Sequence, residues 1–349
     1  MTKEELATIK LTPLMDTLRL EDISDEVYFS DNYKNYVSNS RLKYINPLEG
    51  GSPELYFKGI PRIFTESLTF GTAVHQLTLQ PEDYFLVEDI LLPPGKPGLI
   101  AEFASNSKGE LPFDNTLIDY CKLVDFWGGN PSASTFAKLK EQIKPFIQDR
   151  AKFEKEYYNT HIGKGFPKPL YLNPNNMKRI LPCLESVNNN SKIQNLLHPQ
   201  DLLGNKLPSS NEKTILIDIE ASMPGCDAVI LHLKSKLDNY SVNDIENIIT
   251  VNDVKTVSDL DYFSQSITKY HYYREMGIYT WLLSRCATKF FNLENPKINC
   301  NFLVVETKPD FESKVTECDG GMLKAGMKEF SYLLRLVAYH LMHDYASYV

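Results

Sequence analysis

Apolar residues recur at helical spacing in some stretches of the chain and alternate with polar residues in others. The segment 66–79 has helical spacing and stops at Gln80-Pro81, because proline disfavours helix in the residue before it. Ser38 can cap the first turn of a short helix that follows it. The same spacing predicts helices over 175–187, 258–289 and 321–342.

Strand-like runs are concentrated in the second half of the chain. Three follow one another, and Pro224-Gly225 between the first two predicts an antiparallel hairpin. The resulting order is helix, three strands, helix, strand, helix. This order predicts an α/β (α+β) protein in which a central mixed sheet is flanked by helices. The runs are 214–220, 226–233, 247–254 and, after the long helical segment, 298–306.

The third run ends with an acid and a lysine on one face. Side chains alternate across a strand, so Asp253 and Lys255 point the same way. Asp227, near the start of the second run, can meet Asp253 at one end of the sheet if the two strands are neighbours. Two carboxylates in one pocket repel unless a cation joins them, and hard oxygen ligands favour Mg²⁺ or Mn²⁺.

Composition limits the cellular location and the kinds of site that the protein can have. The chain has 349 residues, 42% of them hydrophobic, and no stretch approaches a membrane span or a signal peptide, so we expect a cytoplasmic protein. The six cysteines are far apart and predict buried thiols instead of a zinc or iron–sulfur site. A net charge of −8 is unlike that of a protein that coats nucleic acid, but it does not exclude a local basic channel.

The chain is predicted to divide into three parts. Residues 1–92 supply an N-terminal segment and the first core helix, and residues 171–349 supply the rest of the core. Between them, residues 93–170 contain the turn signals of 93–98 and a charged helical stretch near 135–158, which predict an inserted, peripheral helical region. Its chemistry cannot be assigned from these residues.

Together these features resemble the PD-(D/E)xK nuclease superfamily, whose restriction-endonuclease-like core has the same element order. Matched residue by residue, the two acids are Asp227 and Asp253 and the lysine is Lys255. Cys226 stands where the family often has proline. A D…DxK pattern alone is weak, since many structural sheets contain one.

Flanking residues make the resemblance more specific. Gly71 and His75 match the GxxxH helix of the RecE (exonuclease VIII) and phage PDDEXK-like exonuclease family, and a leucine, Gln80 and proline match its LEP turn. Glu275 and Tyr279 match the family's QxxxY helix, with glutamate in place of glutamine. The resemblance spans roughly 30–345, apart from most of 93–170.

Each assignment has a structural alternative. An acid and a lysine two apart on a strand are more often a solvated pair than a catalytic one. A histidine on an apolar helix face is often structural, so a site role for His75 is supported only by its match to the GxxxH motif. Glu275 and Tyr279 can equally be a surface acid and a packing residue. Glu220 can bind a second cation or be a solvated turn acid.

The resemblance implies metal-dependent hydrolysis of phosphodiester bonds. Asp227, Asp253 and the Val254 carbonyl would bind Mg²⁺ or Mn²⁺, and Lys255 would orient the attacking water. His75 would lie on the metal or phosphate side. The implied protein is a 5′→3′ exonuclease on linear double-stranded DNA, encoded by a phage or prophage, acting in recombination.

The implied partners are DNA and a single-strand annealing protein, and a ring-shaped homo-oligomer is expected by analogy. Two alternatives stay open. One is an endonuclease or repair nuclease on the same core. The other is a catalytically silent homologue that serves as a DNA-binding or assembly protein.

Overall fold

The computed structural model describes residues 2–58, 65–88, 95–105, 110–129, 131–161 and 166–343. The chain forms two compact units. The first unit combines Met1–Ile60 with Glu185–Val349, and the second unit is Pro61–Leu184. This grouping does not test the predicted boundaries at residues 92 and 170, which stay predictions.

Within the described residues, eight strands form two sheets. The first unit holds a six-stranded sheet in the order β1-β4-β5-β6-β7-β8, and the second unit holds the parallel pair β2-β3. The strands are β1 (Lys10–Asp22), β2 (Tyr84–Glu88), β3 (Lys168–Leu172), β4 (Ser209–Ser222), β5 (Val229–Asn243), β6 (Ile248–Val257), β7 (Lys297–Glu306) and β8 (Ser313–Glu317).

The helices of the described residues range from single turns to long rods. None of those described is both long enough and apolar enough to cross a membrane. They are α1 (Lys3–Thr8), α2 (Asp25–Tyr28), α3 (Asn39–Leu42), α4 (Pro53–Lys58), α5 (Glu66–Leu79), α6 (Lys96–Ser105), α7 (Asp114–Leu123), α8 (Ala133–Thr160), α9 (Pro174–Asn189), α10 (Ser191–Leu197), α11 (Phe263–Lys269), α12 (Tyr272–Phe291) and α13 (Gly320–Met342).

The mixed α/β fold is confirmed, and the predicted core elements follow one another in the predicted order, with β8 added between β7 and α13. β4 and β5 are antiparallel across a turn in which Gly225 has φ +83°. β5 and β6 are antiparallel, whereas β6 and β7 are parallel, and α12 lies between these two in the chain because a parallel pair needs a crossover connection. Ser38 caps α3, as predicted.

Local details differ from the prediction. β5 continues to Asn243, so the polar stretch after residue 233 is strand. The helical segment 258–289 divides into α11 and α12 at His271, which has φ +53°. The edge strands β1 and β8 were not predicted, because both are rich in polar residues and neither shows strict alternation.

The second unit has a core of its own, supplied by α6, α7 and α8. Phe103 stacks on Tyr120, with ring centroids 3.9 Å apart. Arg150, on α8, forms a salt bridge of 3.1 Å with Glu102, on α6. The fully buried apolar residues of this core include Ile100, Leu117, Tyr120 and Ile143.

In the first unit, α12 and α13 pack at very short distance. A Cβ on Gly277 would lie 2.5 Å from the Gly326 carbonyl carbon, and a Cβ on Gly326 would overlap the Tyr273 carbonyl oxygen. Both obstacles are backbone atoms, which cannot rotate away. This contact fixes the position of α12 and of the side chains that it carries toward the sheet.

We expect Gly326→Ala to lower the free energy of unfolding by ~1–3 kcal/mol, because the two helices must separate to admit the methyl group. Gly320→Ala, in the first turn of the same helix, is the matched control, since a Cβ there has nothing within 4 Å. Urea denaturation of both variants measures the difference. Equal stability of the two variants would contradict the close-packing argument.

Candidate active site

Asp253 and Lys255 lie on one face of β6. Lys255 Nζ is 2.5 Å from Asp253 Oδ2. Asp253 is only 1% exposed, although carboxylates are rarely buried without partners. Both side chains point toward α12, because alternation places them on the same face as the buried Val251.

The second carboxylate of the site belongs to Asp238 on β5. Asn239 on β5 pairs with Asn252 on β6, so Asp238 is the residue across from Asp253. The backbone ladder between the two strands ends at that pair. Beyond it the Val254 N–H donates to Asp238 Oδ2 at 2.8 Å, instead of to a backbone carbonyl.

Asp227 lies elsewhere. It is exposed in the turn between β4 and β5, and β5 begins only at Val229. From there to Asp238 the strand runs roughly 30 Å, at ~3.3 Å per residue. The predicted pairing of Asp227 with Asp253 is therefore wrong, and Asp238 takes its place.

A signal for Asp238 is present in the sequence. Asp244 to Glu246 follow Asn243 and precede Asn247, which has φ +55°, and such residues favour a tight turn. The turn pairs Asn243 with Ile248. Stepping back from this pair, one residue at a time on each strand, brings Asp238 opposite Asp253.

A third carboxylate comes from Glu212 at the start of β4. One of its oxygens lies within 4.8 Å of an oxygen of Asp238. Lys236 Nζ lies 3.7 Å from Glu212 Oε2. Glu212 has φ +56°, a conformation that costs a non-glycine residue of order 1–3 kcal/mol. Sequence reasoning missed it, because the residues before it look like a loop.

Helix α12 closes the site with Glu275 and Tyr279, one turn apart. Lys255 Nζ donates to Glu275 Oε2 at 2.8 Å. The Tyr279 hydroxyl lies 3.5 Å from Asp253 Oδ1 and 3.0 Å from the Lys236 carbonyl oxygen. The sequence left both residues open between a site role and a packing role, and the structure brings both to Asp253 and Lys255.

Burial and the surrounding negative charge together raise the pKa values of groups in this cluster. Burial raises the pKa of Asp253 well above its ordinary value, and Asp238 and Glu275 raise it further against the opposing effect of Lys255. Burial opposes the charge on Lys255, but Asp253 and Glu275 outweigh it and raise the pKa of Lys255. Burial and the same acids raise the pKa of Tyr279, which therefore stays a neutral donor.

The donor set fits a hard divalent cation. Glu212 and Asp238 bring carboxylate oxygens within 4.8 Å of each other, Asp253 lies across from Asp238 on the next strand, and Mg²⁺ and Mn²⁺ prefer such ligands. The surplus of carboxylates over lysines is the charge that a cation would offset. Metal ligands must be deprotonated, so a cation would compete with the proton that Asp253 holds.

The remaining predicted residues are placed as follows. Glu220 is half-buried on β4, opposite Ile230 and eight residues from Glu212, which is ~26 Å along a strand, so it cannot bind a second cation at this site. Val254 contributes its N–H to Asp238, and metal binding by its carbonyl stays a prediction. His75 lies half-buried on α5 of the second unit, and its role at the metal also stays a prediction.

A second acidic and histidine group lies in the first unit. Ligand atoms of Glu49, His271 and Glu329 are all within 4.8 Å of one another, which is close enough for a metal ion. Arg274, 2% exposed, already contacts Glu49 at 2.5 Å and Glu329 at 2.9 Å. Its guanidinium supplies the positive charge there, so this group is a buried ion-pair network that joins residue 49 to α12 and α13.

Comparison with known proteins finds similarity in structure but not in sequence. No family model matches the chain, and no curated protein matches it. The chain is similar to a crystal structure from Eubacterium rectale, described as a putative exonuclease, with 11% sequence identity and a TM-score of 0.44. The match covers 91% of this chain and 87% of that chain. Any functional assignment therefore depends on the geometry of the site itself.

We expect the metal-free protein to lose stability relative to Asp253→Asn as pH rises. The folded pKa of Asp253 lies above its unfolded value of about 3.9. Ionisation therefore disfavours the folded state, by an amount that is absent below pH ~4 and grows until the folded pKa is passed. The asparagine cannot ionise, so it removes this pH dependence.

Thermal denaturation in EDTA between pH 4 and 8 measures the effect. Asp227→Asn, in the exposed turn, is the control for removing one carboxylate. A stability difference between wild type and Asp253→Asn that stays constant with pH would show that Asp253 ionises as freely as it does in the unfolded chain.

Proposed function

We propose that the protein is a metal-dependent deoxyribonuclease of the PD-(D/E)xK type that degrades linear double-stranded DNA from the 5′ end, as RecE-like exonucleases do. The observation that carries the proposal is the constellation on β5 and β6. Asp238 lies opposite Asp253, and Lys255 lies 2.5 Å from Asp253 on the same strand face. It combines paired acids with a lysine, the residue types that cleavage of a phosphodiester needs.

Each side chain has a role that its contacts support. Asp238, Asp253 and Glu212 would hold the cation. When bound, Mg²⁺ or Mn²⁺ would supply a Lewis acid for the scissile phosphate and a water of lowered pKa. Lys255 would orient the attacking water and offset charge on the phosphorus. Its ammonium is preorganised, since Asp253 and Glu275 hold it from two sides.

Glu275 occupies the position where the family has glutamine. Its carboxylate contacts Lys255 at 2.8 Å, and the Tyr279 hydroxyl is 3.4 Å from its other oxygen. A glutamine there would supply an acceptor without charge. Glutamate therefore retains the positioning of Lys255 and adds one negative charge to the cluster, which strengthens the need for a cation.

Polarity, substrate and assembly rest on the resemblance of the sequence to the RecE-like family. That resemblance supports 5′→3′ digestion of duplex ends, a ring-shaped homo-oligomer around DNA and cooperation with a single-strand annealing protein. Phosphate contacts outside the metal site would supply most of the DNA affinity without reading sequence.

We expect purified protein to degrade linear duplex DNA with Mg²⁺ or Mn²⁺ and to be inactive with EDTA or with Ca²⁺ alone. Removing the metal removes both the Lewis acid and the activated water. Substrates labelled at the 5′ or the 3′ end report polarity, and closed-circular DNA is the control. Sustained digestion in EDTA would exclude this mechanism, and cleavage of closed circles would identify an endonuclease on the same core.

We expect Asp238→Asn to lower the cleavage rate at least ~10²-fold, the loss typical when one preorganised electrostatic group is removed. DNA binding should persist, because backbone contacts lie elsewhere. Asp227→Asn makes the same chemical change in the exposed turn and should cleave at the wild-type rate. Rates from labelled duplex and affinities from filter binding give both quantities.

The pattern of results separates the alternatives. If Asp238→Asn cleaves as fast as an active wild type, the catalytic acids lie elsewhere. If wild type and both variants bind DNA alike and none cleaves it, the protein is the silent DNA-binding homologue.

A further inference from the structure

Four asparagines, three of them buried and Asn211 half-buried, form a continuous hydrogen-bonded row across the sheet, here called the amide ladder. Asn301 Nδ2 donates to Asn252 Oδ1 at 2.9 Å, and Asn252 Nδ2 donates to Asn239 Oδ1 at 2.7 Å. Asn239 Nδ2 donates in turn to Asn211 Oδ1 at 2.7 Å. The four residues lie on β7, β6, β5 and β4 and are directly opposite one another in the sheet register.

Three of the four asparagines are next in sequence to a carboxylate of the candidate site, and Asn301 is the exception. Asn211 precedes Glu212, Asn239 follows Asp238, and Asn252 precedes Asp253. Neighbouring residues of a strand point to opposite faces. Asn252 accordingly faces α10, where its Nδ2 lies 3.3 Å from the Leu196 carbonyl oxygen, whereas Asp253 faces α12. The amides and the carboxylates therefore lie on opposite faces of the sheet, at neighbouring positions of the same strands.

Core packing alone does not call for this row. Asn239 and Asn252 are both fully buried, and a buried amide is tolerated only when it is hydrogen-bonded. Apolar side chains of similar volume would fill the space without that requirement. A chain of amides adds a fixed lateral spacing between strands, because each link has a defined length and direction.

That spacing matters most where the backbone stops supplying it. Backbone pairing between β5 and β6 ends at Asn239 and Asn252. Just beyond this pair, the Val254 N–H donates to the Asp238 carboxylate instead of to a backbone carbonyl. The amide ladder crosses the sheet at the position where this backbone pairing ends. Between β5 and β6 it lies at the last backbone-paired position, and beyond it the Val254 N–H bond to Asp238 joins the two strands.

We propose that the amide ladder positions Glu212, Asp238 and Asp253 at the spacing that a divalent cation requires, and so sets the affinity of the site for the metal. Its members are positioning residues, since they act through the carboxylates next to them. The inference rests on the proposed function, because it assumes that these carboxylates bind the cation.

The test is the affinity of DNA-free protein for Mn²⁺, measured by titration calorimetry well below the melting temperature. We expect Asn252→Ala to weaken Mn²⁺ binding at least ~10-fold, the scale seen when a residue that orients a metal ligand is removed. Ser241→Ala is the matched control. Ser241 is also buried, lies on the same face of β5 as Asn239, and is two residues outside the ladder.

Three outcomes decide the inference. A loss of Mn²⁺ affinity in Asn252→Ala but not in Ser241→Ala, with a lower kcat and an unchanged KM for DNA, supports it. Unchanged affinity in a folded Asn252→Ala overturns it while the proposed function stands. A wild-type protein that does not bind Mn²⁺ overturns both.

A purely structural role is separated by two further measurements. If Asn252→Ala is merely less stable, sucrose should restore Mn²⁺ affinity along with the melting temperature, and that result would overturn the inference. If Asn252→Ala does not fold, Asn301→Ala replaces it, since this end residue gives up a single donor to Asn252. Its Mn²⁺ affinity should fall in the same direction, and an unchanged value would again overturn the inference.

Discussion

Negative charge concentrated around the half-buried ammonium of Lys255 is the constraint on which the candidate site depends. Asp253 and Glu275 contact Lys255 directly, and Asp238 and Glu212 lie beside them. If the strands and α12 were free to move, repulsion between these carboxylates would separate them, because desolvation strengthens like-charge repulsion. The tyrosine hydroxyl, the backbone N–H, the lysines and the close-packed helix pair all serve to keep the acids together. The protein thus holds in place a site that opposes its own stability, as catalytic sites often do.

The site residues that are close together in the sequence could be predicted, whereas those brought together from distant positions could not. Asp253 and Lys255 were found because their relation is local and follows from the pleat of one strand. Asp227 was chosen because it lies near the start of the predicted second strand, and Asp238 was missed because the polar stretch after residue 233 was not predicted as strand. β5 nevertheless continues through that stretch to Asn243, with most of its residues from Leu231 onward buried.

The fold was predicted more completely than the site because its core elements have strong periodicity. α5 begins and ends at the predicted residues, and α13 differs by one residue at its start. The edge strands were missed because they are half-exposed and polar. Glu212 could not be identified, since its left-handed backbone and its approach to Asp238 arise from tertiary packing. The amide ladder was equally invisible, as four asparagines spread over 90 residues have no pattern until the register is known.

The outermost strand of the six-stranded sheet has a consequence for the order of assembly. Arg19 on β1 pairs with Leu216 on β4, which follows 197 residues later in the chain. At a synthesis rate of ~5–20 residues per second, β1 waits roughly 10–40 s for its partner to be made. An unpaired strand is liable to associate with other chains during such a delay. β1 contains Pro13 and charged residues at both ends, features that discourage wrong pairing. The residues of β1 therefore disfavour pairing with other chains during the delay before β4 is synthesised.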